Sequence, residues 1–226
     1  MINIAVDFLS EKIKPLPFVE RYGGLVRRAE RLIDTSDNDT PNMTRQSFPV
    51  SCNISDKECW DNERYNDLAP NSNYSSVFYI EQLLPLSNSG FNKQKYAKFT
   101  VNTWQSQLKL VGWLNMPRLG YSDCSISPAV IQHVLKAIDT NKFGSLPTSN
   151  DGVRVSIRPQ QILTHDQRIF QGYTYQDRTD LLFEPYDAFA IIIDIQLHIQ
   201  SGCLPDFDVL DDISCVDLSL PYGLVE

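Results

Sequence analysis

Residues 186–202, YDAFAIIIDIQLHIQSG, alternate with a period of two. Phe189, Ile191, Ile193, Ile195, Leu197 and Ile199 fall on one side, while Ala190, Ile192, Asp194, Gln196, His198 and Gln200 fall on the other. That is a strand with one dry face and one that grows wetter along its length. It runs for about 14 residues, or about 46 Å, against about 5–6 residues for an ordinary strand. A second long run, YAKFTVNTWQSQLKLVGWLNMP, has no breaker before Pro117. Its apolar phase is odd at Ala97, Phe99 and Val101 and even at Leu108, Leu110 and Leu114, which predicts a bulge or a change of environment.

The other periodic segments are shorter. Ile4, Phe8, Leu9 and Ile13 make a helical stripe ended by Pro15 and Pro17. Gly23 and Gly24 read as a turn before a strand from Leu25 to Ile33, and RQSFPVSCNIS reads as another strand, with Pro49 marking an edge or bulge. VFYIEQLLPL reads as a short strand and SNSGFNKQK as a turn. The clearest helix is SPAVIQHVLKAI, with Ser127 as N-cap, Pro128 in its first turn and Val130, Ile131, Val134, Leu135 and Ile138 on one stripe. VRVSIRPQQIL sets Val153, Val155 and Ile157 against Arg154, Ser156 and Arg158, a half-buried strand with a basic outer face. A loop-rich stretch, THDQRIFQGYTYQDRTDLLFEPY, leads into the long last strand. The expected fold is α+β: a mostly antiparallel sheet of about six strands, two of them long, with an N-terminal helix and a late helix packed on it. Residues 1–202 read as a single domain carrying a polar insertion at about 55–76, followed by an acidic, apolar C-terminal arm at 203–226.

Charge sharpens this division. The chain has 226 residues and a net charge of −8. Residues 34–76 carry 3 bases and 8 acids, and residues 203–226 carry no base and 6 acids, so the body is near neutral and the two appendages are acidic. A surface that grips nucleic acid needs the opposite sign. The first residues, MINIAVDFLSEKIK, lack the basic start and long apolar run of a secretory signal, and no run of 18 apolar residues is present, so no membrane association is expected. Five cysteines, with no C-x-x-C among them, read as reduced thiols. The arm itself mixes Phe207, Val209, Leu210 and Ile213 with Asp206, Asp208, Asp211 and Asp212. Such an arm packs along its own body or lays its apolar residues across a neighbouring subunit.

Motifs for chemistry are missing from the sequence. YGGL lacks the spacing and lysine of a phosphate loop, and neither G-x-S-x-G nor H-E-x-x-H occurs. His133 reads as a boundary residue of the late helix and His165 as loop surface. Asp194 and His198 share a strand face but lie roughly 13 Å apart along it, too far to act as a dyad. Asp61, Glu63 and Asp67 in the insertion are the only cluster suggesting a metal-dependent hydrolase or nuclease, and they have no lysine-bearing strand motif beside them. No cofactor and no metal are expected.

The order of elements resembles the tail-terminator and tail-completion proteins of tailed bacteriophages and the related ring proteins of phage necks. The likeness runs from the helix VDFLSEKI through LVRRAERLI, SFPVSCNI, KFTVNTWQSQLKLVGWL, SPAVIQHVLKAI and RVSIRPQQIL. It ends with DLLFEPYDAF leading into AIIIDIQLHI. It covers roughly residues 4–54 and 95–200, and the insertion and acidic arm depart from the smaller members. The resemblance implies a non-enzymatic virion protein, assembled in the bacterial cytoplasm, that forms a homomeric ring in the neck around the DNA channel. Such a ring is six-fold in terminators and twelve-fold in the neck rings of short-tailed phages, contacts adjacent portal, connector or tail proteins, and lets DNA pass without specific binding.

Under that reading Asp194, Gln196 and His198 belong to a channel or interface face. Asp206, Phe207, Asp208, Leu210, Asp211, Asp212 and Ile213 form a subunit-contact arm. Long strands would continue a sheet into a neighbour, closing a ring by burying open edges, and an acidic channel wall would let the duplex slide. The competing readings are a metal-dependent hydrolase or nuclease using the insertion, and a monomeric protein-binding module.

Overall fold

The computed structural model describes residues 2–34, 43–51, 66–92, 101–121, 126–138, 146–147, 153–164, 166–174 and 181–200. It is α+β. The first helix, α1 (Ile2–Ile13), is followed by β1 (Arg21–Leu25), β2 (Arg27–Asp34), β3 (Met43–Ser51) and β4 (Asn66–Asp67). Then come β5 (Ser76–Asn92), β6 (Val101–Asn115), the late helix α2 (Ser127–Ile138), β7 (Leu146–Pro147), β8 (Val153–Thr164), a short 3-10 turn (Gln167–Phe170) and β9 (Tyr186–Gln200). Six strands make the main sheet in the order β1-β5-β6-β9-β8-β7, antiparallel except where β1 runs parallel to β5. A small antiparallel sheet, β2-β3-β4, stands apart.

The alternation in β9 becomes the division between two cores. Its odd residues Phe189 to Leu197 join Phe78 and Ile80 of β5, Leu108, Leu110 and Leu114 of β6, and Val155 and Ile157 of β8. Helices α1 and α2 cover this face through Ala5, Val6, Leu9 and Ile13 and through Val130, Ile131, Val134 and Ile138. The α1 stripe is therefore centred one position away from the expected one: Ala5 and Val6 are buried, while Ile4 and Phe8 pack at its margin. Among the described residues, the opposite face is covered at one end only. There Val77, Tyr79, Val111, Trp113, Ala190 and Ile192 meet Val26, Leu68, Ile169 and Leu181.

Local choices explain where each layer starts. The α2 N-terminus is held by Asp187 at the start of β9, whose buried Oδ2 accepts from the Ser127 N–H at 3.1 Å while Oδ1 accepts from Ala188 N–H at 2.8 Å. A carboxylate there satisfies a free helix donor and sits at the positive end of the helix dipole. Two polar side chains of β6 pin the second cover. Trp113 Nε1 donates to Leu181 O at 2.7 Å, and its ring stacks on Tyr186 at 5.2 Å. Lys109 Nζ donates to Ile169 O at 3.0 Å. The stretch from Thr164 to Tyr186, expected as loop, thus supplies a piece of the core.

Four expectations are revised. Gly23 and Gly24 lie inside β1, where Gly24 has φ +61° at a register irregularity and a Cβ on Gly23 would collide with Leu68. A short strand ending at Leu86 becomes the 17-residue β5, because register shifts between Gln82 and Gly90 absorb Pro85, and Ser87 to Gly90 stay paired with β6. β6 has no bulge against β9: the pairing runs without interruption from Val101↔Gln200 to Asn115↔Tyr186. The change of apolar phase marks a change of face, since Leu108 and Leu110 point to the helices and Val101 pairs across from Gln200. Finally, β6 and β9 do not need a neighbour to complete their edges. Each is flanked on both sides by strands of the same chain, β6 by β5 and β9, and β9 by β6 and β8.

Candidate functional site

Among the described residues, the long strands of the main sheet with an open hydrogen-bonding edge are β5 beyond Ile80, where β1 stops, and β8 beyond Val155, where β7 stops. Both are interrupted. Pro85 lies among the β5 register shifts, and a shift between Pro159 and Gln161 breaks the β8 ladder beside Arg158. Proline, bulge and charge are the devices that keep an edge from pairing with another chain. Ring closure by edge-to-edge extension of these strands is therefore disfavoured.

The part of the main sheet that no described residue covers is the far half of the face that turns away from the helices. Register sets its rows. Gln107, Asp194 and Arg158 stand side by side on β6, β9 and β8; Gln105, Gln196 and Ser156 form the next row, and Thr103, His198 and Arg154 the one after. Cross-strand neighbours directly opposite share a face. Asp194, Gln196 and His198 are each half-buried. Asp194 Oδ1 accepts from Gln107 Nε2 at 3.0 Å, and His198 Nδ1 lies 3.1 Å from Thr103 Oγ1. The sheet thus brings the three expected residues onto one face, and takes Asp194 and His198 up separately in ladders with β6. Among the described residues the rows of this face set the Asp194 carboxylate beside Arg158, with Arg154 further along β8.

Where this polar half meets the covered half there is a cleft of about 380 Å³, bounded by Glu81, Gln107, Lys109, Gln161, Arg168 and Gln171. Its floor contains an ion pair, Lys109 Nζ to Glu81 Oε2 at 2.5 Å, with side chains only 4% and 12% exposed. Glu81, Lys109, Ile192 and Gln161 form one row across four strands. This pair was not singled out from the sequence. Its signal is a lone charge interrupting each of two apolar runs, YIEQLL and QLKLVG.

A second concavity, also about 380 Å³, lies between the end of α1 and β1, beside Lys14, Glu20, Arg21, Tyr22 and Ser51. The Ser75 hydroxyl and N–H both donate to Glu20 and hold its carboxyl below the ordinary value. Burial pushes the Tyr22 hydroxyl up to about 12, against a smaller opposing effect of its bond with Ser10.

Two further expected residues, His133 and Asp67, are not brought to either place. His133 is exposed on α2, with its ring 6.3 Å from that of Phe18. Asp67 lies in β4, paired with Val50. Asp61, Glu63, His165, all five cysteines and the arm residues Asp206, Phe207, Asp208, Leu210, Asp211, Asp212 and Ile213 lie outside the described residues. Among the described residues no group of three or more His, Cys, Asp or Glu side chains is placed to hold a metal, and no helix is long and apolar enough to cross a membrane. No protein-family model and no curated protein matches the chain.

Proposed function

We propose that this chain is a non-enzymatic structural subunit of a tailed-phage virion, forming a homomeric ring in the neck, as head-tail connector or tail terminator, around the DNA channel. The observation that carries the reading is the far half of the main sheet, which no described residue covers. Three strands, β6, β9 and β8, run on beyond the second cover and present a polar face of amides, hydroxyls and a few mixed charges, without a group placed to hold a metal among the described residues. Such a surface suits subunit contact or a passage wall, because its charges are few and of mixed sign beside neutral amides, so that it neither grips nor strongly repels a phosphate backbone. The order of elements supports the same reading. Adjacent portal, connector or tail proteins are its proposed partners, and the acidic arm its proposed contact with the next subunit.

Size measurement and negative-stain electron microscopy of the purified chain test this, with rings of six or twelve copies expected. Protein that stays monomeric at high concentration and fails to bind the virion's other neck proteins overturns it. One observation favours a second reading, a monomeric protein-binding module: both long strands are fully paired within a single copy. A sharp monomer peak together with capture of one partner supports that alternative.

A further inference from the structure

The cleft beside the 3-10 turn is built differently from the open face next to it. Its floor places a lysine and a glutamate almost out of solvent, and the two charges neutralise one another. Lys109 is further engaged by Ile169 O. The glutamate is only half used. Oε2 meets Lys109, whereas Oε1 is buried and has no hydrogen-bond partner among the described residues. A buried carboxylate oxygen in that condition is unfavourable until a donor reaches it. Because the ion pair already balances charge, what the floor lacks is a hydrogen and not a counter-ion.

The lining narrows the choice. Gln107 spends its amide nitrogen on Asp194, which leaves its side-chain oxygen as an acceptor. Arg168 is occupied by Asp166 at 2.6 Å, so it is not a free anion receptor. Gln161 and Gln171 stand exposed at the rim, each with a donor and an acceptor. Leu163 and Ile192 supply buried apolar wall. The volume falls within the roughly 300–1,000 Å³ of small-ligand sites.

From this we infer that the cleft, once side chains at its floor shift to uncover Glu81 Oε1, is a binding site for a neutral primary carboxamide, whose NH₂ donates to that oxygen and whose carbonyl accepts from the rim glutamines. The group is supplied by a free small amide or by an Asn or Gln side chain of a second copy. The inference does not depend on ring formation.

Three planar molecules of nearly one shape separate the possibilities: acetamide is neutral, acetate is an anion and acetamidinium is a cation. Ligand-observed saturation-transfer NMR on the full chain measures the affinity of each and works equally on a monomer or a large assembly. Acetamide is expected to bind at least about tenfold more tightly than either ion. Absence of saturable acetamide binding means that water alone meets Glu81 and overturns the proposal, as does equal or tighter binding of either ion. Glu81→Gln keeps the shape but leaves Lys109 without its counter-charge, so preference should pass from acetamide to acetate; an unchanged preference for acetamide also overturns it. The wild-type comparison of the three probes stands even if that variant fails to fold. A series of protein concentrations distinguishes the sources. Acetamide affinity falls with rising protein concentration if a second copy competes with its own side chain, and stays constant if the natural ligand is a free amide.

Discussion

Gly112 lies in the middle of β6, on the helix-covered face, between two phenylalanines. A Cβ placed there would sit 2.6 Å from both Cε1 and Cζ of Phe189 and 3.0 Å from Cε1 of Phe78. Both rings are fully buried and meet edge to face at 5.9 Å, so neither can retreat without disturbing the other. Gly112 is not among the glycines with positive φ, so the obstacle to Gly112→Ala is crowding alone. Overpacking of this kind costs about 1–3 kcal/mol, and replacing glycine within a strand returns about 0.5–1 kcal/mol, leaving a net loss centred on about 1.3 kcal/mol and no larger than about 2.5 kcal/mol. With a urea slope of about 2 kcal/mol/M, the unfolding midpoint should fall by about 0.6 M. The companion change is Phe189→Leu, which deletes the two ring atoms that the new methyl would strike. Each single variant is expected to be destabilised, with the double variant less destabilised than their sum by at least about 0.5 kcal/mol. An unchanged or higher midpoint for Gly112→Ala, or strict additivity in the double variant, refutes the argument that these two rings forbid a side chain at 112.

Two further outcomes follow from groups outside that core. Asp187→Ala removes the carboxylate that receives the Ser127 N–H and should cost about 1–2 kcal/mol, with a loss of helical circular dichroism; Asp187→Asn keeps one acceptor and should lose less. Tyr22, raised by burial from 10.0 to about 12, contributes stability that is fully present below pH 10 and is lost as pH rises toward 12, because the unfolded chain releases its proton first. The wild type should therefore lose stability relative to Tyr22→Phe across that window in pH-dependent urea titrations, and parallel curves would show that the hydroxyl is not shielded.

Periodicity revealed the parts of this fold in which one residue's environment repeats along a regular element. The alternation of β9, including its drift from Ala190 and Ile192 to half-buried Asp194, Gln196 and His198, is visible in the letters, and so is α2 with its starting Ser127 and Pro128. What was not legible depends on partners far away in the chain. Ser87 to Gly90 look like turn residues until β6 is present to hold them across register shifts. Ile169 and Leu181 look like isolated apolar residues in a polar loop until the bare face around Val111 and Ile192 calls for cover. The Lys109–Glu81 pair joins two strands across 28 positions, with no local pattern announcing that one charge is there to meet the other. The candidate face was legible as a strand face, whereas its three-strand breadth and its near-neutral charge come only from the register of β6 and β8.

The unbroken ladder between β6 and β9 gives this molecule something like a reading frame. From Tyr186 to His198 every residue is addressed by its parity, one set to the helices and the other to the opposite side. One codon gained or lost between Phe189 and Leu197 would transpose all that follows, turning Asp194 and Gln196 toward the oily side and isoleucines toward water. Substitutions can be absorbed there one at a time, but changes of length cannot, so insertions and deletions must fall outside this pair of strands.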